Sequence, residues 1–76
     1  MTWQQKLGAA IRSARTATGL SQAEVASALG VRQSSVSQWE AARTVPSTRH
    51  MLGLLRLFGN ELFSLLAGVA AEACPP

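Results

Sequence analysis

The chain has a single cysteine, Cys74, a single histidine, His50, and no tyrosine. A lone cysteine excludes an internal disulfide, and one cysteine with one histidine cannot make a structural zinc set. Cys74 is a tail thiol that could join two chains only on oxidation. Acids are scarce: four, against seven lysines and arginines, for a formal net charge of +3. No carboxylate pair, nucleophile or glycine-rich phosphate loop accompanies His50, so catalysis is not expected, and no cofactor, metal or small-molecule ligand is implied. Long apolar runs are also missing. The most apolar window, 51–71, is interrupted by Arg56, Asn60 and Glu61, which argues against a membrane span. The first residues, with Gln4, Gln5, Lys6 and Arg12, lack the apolar stretch of a signal peptide, so a cytoplasmic location is expected.

What is present is a small globular composition, 47% hydrophobic and 14% charged over 76 residues. A chain this short buries only about 60% of its unfolded surface, which leaves no room for a deep cavity. One domain is expected over 1–76, with its core at about 3–69 and a tail at 70–76. Alanine and leucine are abundant and β-branched residues scattered, so the fold class is all-α. The cations are concentrated: Lys6, Arg12, Arg15, Arg32, Arg43 and Arg49 face only Glu24 and Glu40, whereas Arg56 faces Glu61 and Glu72. A basic front and an apolar back suit a polyanion on one side and a protein on the other.

Five helices can be placed. The first, about 2–18, starts on a Thr2/Gln5 capping box, buries Leu7, Ile11 and Ala14, and ends at Gly19. Ser21 and Glu24 open the second, whose inward stripe is Val25, Ala26 and Leu29. Gly30 then supplies a positive φ for a tight turn. The third covers 33–40. Its Val36 and Trp39 point inward, and Gln33, Ser34, Ser37 and Gln38 point outward. Glutamine and serine are not the residues that stabilise an exposed helix face best. They are residues that read base edges, because an amide donates and accepts at once. Pro46 and Ser47 introduce a fourth helix with Met51, Leu54, Leu55 and Phe58 inward, weakened by Gly53. Gly59 ends it, and Asn60 is placed as the cap of a fifth helix bearing Leu62, Phe63, Leu65, Leu66 and Val69. That helix is apolar on more than one face. Leu62, Phe63, Leu66 and Val69 are therefore expected to form a two-fold dimer patch, the alternative being that they close the domain's own core.

The runs LGAAIRSAR, GLSQAEVASALGV, SVSQWE and R-x-V-P-S, at these spacings over about 7–66, resemble the phage-repressor/Cro-like helix-turn-helix family of transcription regulators. The resemblance implies a compact five-helix domain that binds double-stranded operator DNA as a homodimer on a near-palindromic site. It implies phosphate contacts from Gln22 and Arg43, to which the cations Arg12 or Lys6 could add on a DNA-binding reading. It implies base reading by Gln33, Ser34, Ser37 and Gln38. It also implies a structural ion pair between Arg15 and Glu40. Arg32 departs from the family's usual serine or threonine cap, which costs about 1 kcal/mol; its expected role is to reach a phosphate or a guanine. Ala42 stands where glycine is common, so the loop either avoids positive φ there or is mildly strained. The competing reading is an antitoxin-like module whose apolar C-terminal helix binds a protein partner, with DNA binding secondary.

Overall fold

The structure is a computed structural model that describes residues 1–73. Cys74, and with it the expected tail thiol, lies outside the described residues. The five helices are α1 (Trp3–Ala17), α2 (Gln22–Leu29), α3 (Gln33–Glu40), α4 (Thr48–Phe58) and α5 (Asn60–Ala73). Among the described residues, no helix is long and apolar enough to cross a membrane. α1 is central and packs on α3, α4 and α5; α2 lies on α3 and α4, and α4 on α5. One core holds them together, built around Ile11, Val25, Val36, Leu54 and Leu62, all fully buried.

Local chemistry sets the helix ends. Thr2 Oγ1 accepts the Gln5 N–H at 3.2 Å, and Gln5 Oε1 accepts the Thr2 N–H at 2.9 Å. Ser21 and Glu24 make the same reciprocal pair at 3.1 and 3.0 Å. The bond from the Ser21 backbone N–H, and then the one from its side chain, holds the Glu24 carboxyl below its ordinary value. A lowered folded-state value means that this capping box stabilises α2 above the ordinary carboxylate range and loses that contribution as the pH falls. Ser47 Oγ accepts the His50 N–H at 3.3 Å to begin α4.

The C-terminal ends of α1, α2 and α3 share one solution. In each, an N–H five residues on returns to a helix carbonyl: Leu20 to Arg15, Val31 to Ala26 and Arg43 to Gln38, at 3.0–3.2 Å. This is the Schellman arrangement, which needs a left-handed residue just before the returning N–H. Gly19 (φ 76) and Gly30 (φ 69) supply it for α1 and α2, but α3 uses Ala42 at φ 60. The loop therefore does not avoid positive φ; an alanine holds it. A Cβ in this region costs about 1–2 kcal/mol, against the smaller entropy cost of a more flexible glycine. Ala42→Gly is expected to raise stability by up to about 1 kcal/mol, read as a higher denaturant midpoint with an unchanged slope. A lower midpoint would mean that the alanine methyl contributes packing larger than its strain.

Three expectations are corrected. Asn60 is the first residue of α5 and not its cap; the Gly59 carbonyl accepts the first helical bond, from Phe63 N–H at 3.1 Å. The tail does not begin at residue 70, because α5 continues to Ala73. The third concerns the dimer patch. Leu62 is fully buried and Val69 is 7% exposed, and Leu66 packs against the same core. Positions 62, 66 and 69 recur at helical spacing, and that stripe faces α1 and α4, so it closes the domain itself. Of the four residues only Phe63 is open to solvent, at 68%.

Candidate nucleic-acid interface

α3 presents one polar edge. Val36 and Trp39 anchor it to the core, and the helical period turns Gln33, Ser34, Ser37 and Gln38 outward, where all four are exposed. Arg32 sits at the N-cap position but makes no side-chain cap bond, so its exposed guanidinium is not used to start the helix. The sequence-based candidates for base reading thus lie together on an uncovered surface. Arg43 follows in the loop after α3, also exposed.

The rear of this edge is held by a charged network. Arg15 Nε donates to Glu40 Oε2 at 2.7 Å and Nη2 to Oε1 at 3.1 Å, a two-pronged bridge from α1 to the last residue of α3. Arg15 Nη1 adds a bond to the Leu20 carbonyl at 3.0 Å. The two side chains are 14% and 6% exposed, so water screens the pair poorly. The Arg15 guanidinium is raised above its ordinary value, first by its hydrogen bond to Glu40; burial pulls the other way, and the carboxylate's charge adds to the rise. A raised folded-state value means that the arginine's contribution is present below its ordinary titration range and is lost as the pH rises into strong alkali.

Gln22 joins this network, which sequence reasoning missed. Its Nε2 donates to Glu40 Oε1 at 3.1 Å, and the residue is half-buried. Because a carboxylate only accepts, the amide must turn its NH2 toward Glu40. Its carbonyl oxygen and second N–H then remain for another partner. No local pattern could have revealed the contact, since it joins the start of α2 to the end of α3. Arg12, Gln22, Ser37 and Glu40 line one shallow polar cleft between the first three helices. Arg12 thus sits beside the edge, whereas Lys6 is half-buried on α1.

Trp39 is fixed from the far side by His50, whose ring lies 5.6 Å away, tilted by 38°. His50 is half-buried, with Nδ1 at 3.2 Å from Ser47 Oγ. Among the described residues no cluster of histidine, cysteine, aspartate or glutamate could hold a metal ion.

Two short helices crossing through a glycine turn, the second with a buried apolar back and an exposed polar front, define a helix-turn-helix unit, the class of DNA-binding regulators. A family profile described as a helix-turn-helix domain matches residues 6–60. The chain belongs to this family, in keeping with its likeness to the repressor and Cro type. It matches no curated protein and no solved structure.

Proposed function

We propose that the protein is a cytoplasmic, sequence-specific transcription regulator that represses by binding operator DNA as a homodimer, without catalysis. The observation that carries this reading is the α3 edge: five polar positions, Arg32, Gln33, Ser34, Ser37 and Gln38, exposed together over a buried Val36–Trp39 back. On this reading Gln33, Ser34, Ser37 and Gln38 reach base edges, with Arg32 beside them. Gln22 and Arg43 hold phosphates and set the register. The free backbone N–H groups at the start of α2 favour a phosphate there as well. A two-fold pair would place two such edges about 34 Å apart, one turn of the duplex. Phe63, Ala67 and Ala70, at helical spacing and all exposed, offer α5 a narrow apolar stripe for that pairing. The antitoxin-like reading loses much of its surface, because Leu62 and Val69 are buried in the domain.

The test is a gel-shift titration on an operator recovered from a random-sequence selection. Gln33→Ala is expected to weaken operator binding by about 1–3 kcal/mol per subunit contact, roughly 5- to 150-fold. Binding to random duplex should change little. Equal losses on both would remove Gln33 from the base-reading set.

A further inference from the structure

A second group of exposed cations lies on α4. A shallow groove runs between the C-terminal half of α2 and α4, with Leu29 and Leu57 along its floor and Arg49, His50 and Arg56 along its rim. Gly53 shapes the floor: a Cβ there would come within 2.6 Å of Leu29 Cδ2, and the tip of the leucine would have to shift. Arg49 and Arg56 are two helical turns apart on one face of α4, about 10.5 Å along its axis. Leu52, between them on the adjoining face, is 62% exposed.

Leu29 and Leu57 also pack against the core, but the two arginines do not serve the fold. Among the described residues neither arginine takes part in an ion pair or hydrogen bond. Arg49 lies in the first turn of α4, where the helix dipole disfavours a cation, and no acid accompanies it there. A duplex is a poor match, because its backbone offers phosphates but nothing apolar for Leu29 and Leu57. The groove also lies toward the opposite end of α2 from Gln22, and α2 is about 12 Å long.

We propose that this groove docks an acidic amphipathic helix of a partner protein. Its two carboxylates would sit two turns apart against Arg49 and Arg56, with a leucine-type side chain between them on Leu29 and Leu57. The domain would then hold DNA on one surface and a protein segment on another.

The probe is a fluorescein-labelled helical peptide with two glutamates at the spacing of Arg49 and Arg56 and leucines between them. Its counterpart carries lysine in place of each glutamate. The acidic peptide is expected to give saturable anisotropy that weakens with salt and about fivefold with Arg56→Ala, the cost of one partly exposed ion pair. The lysine peptide should not bind. Amide shifts on titration should fall on Leu29, Gly53 and Leu57 and spare Gln33 and Gln38. The proposal is overturned by no saturable binding, by equal binding of both peptides, or by shifts confined elsewhere. Loss of duplex affinity in Arg56→Ala, with the circular dichroism unchanged, would overturn it too and assign the groove to the DNA backbone.

Discussion

Glu40→Ala is expected to lower the unfolding free energy by about 2–3 kcal/mol, at or just under the cost of stranding one charge of a buried pair, because Arg15 and Glu40 are largely but not fully enclosed. Arg15 would keep only its bond to the Leu20 carbonyl, with the rest of its guanidinium enclosed and unpaired. The same change releases Gln22, whose amide is bonded to Glu40. Arg15→Ala should cost a similar amount or somewhat less, because it leaves the carboxylate with only the Gln22 amide as a side-chain donor. The double variant should lose clearly less than the sum of the two, since no charge is then left alone. Denaturant titrations of all four proteins provide the cycle. Losses below 1 kcal/mol, or strict additivity, would reduce the bridge to an ordinary surface pair. The consequence for binding follows from position: the bridge ends on the last residue of α3, so its loss loosens the helix that carries the polar edge.

The second large effect comes from a residue with no side chain. A Cβ on Gly8 would lie 2.5 Å from the Trp39 carbonyl oxygen and 2.8 Å from that of Glu40. Both are backbone atoms at the end of α3 and cannot swing aside, so α1 and α3 must part. Gly8→Ala is expected to destabilise, because overpacking of about 1–3 kcal/mol exceeds the gain in helix propensity of about 1 kcal/mol. Gly8→Leu should lose more. Gly68 supplies the control. It lies inside α5, and a Cβ there would meet nothing within 4 Å. Gly68→Ala should therefore stabilise by up to about 1 kcal/mol from propensity alone. Opposite shifts in thermal midpoint from one chemical change would locate the close approach of α1 and α3. If both substitutions stabilise, the helices have room to separate and the contact is not a constraint.

The two glycines also show why a sequence reading stops where it does. Gly8 and Gly68 each look like a weak point inside a helix, and nothing nearby distinguishes them. Their difference lies in what packs alongside, which is α3 for one and open space for the other. The α5 leucines make the same point. Leu62, Leu66 and Val69 follow the helical period as a dimer patch would, and so would a stripe that seals the monomer. Choosing between them requires knowing where α1 and α4 lie. The Gln22–Glu40 bond was hidden for the same reason: 18 residues separate its partners, and each has an adequate local explanation.

The helix ends were open to sequence reading because their physics is short-ranged. A threonine or serine cap bonds an N–H three residues on, and a glycine at positive φ closes a turn within five. Thr2, Gly19, Ser21, Gly30 and Ser47 therefore punctuate the chain where they were expected to. The outward polar face of α3 was legible for a related reason, since periodicity alone separates it from Val36 and Trp39. Residue types and their spacing thus determined five helices, a glycine turn and a readable edge. Only the tertiary structure decided which apolar stripe is core, which glycine is a contact, and that Ala42 bears a left-handed turn. Those outcomes depend on how closely distant segments approach, and that distance is set by the packing of the whole domain.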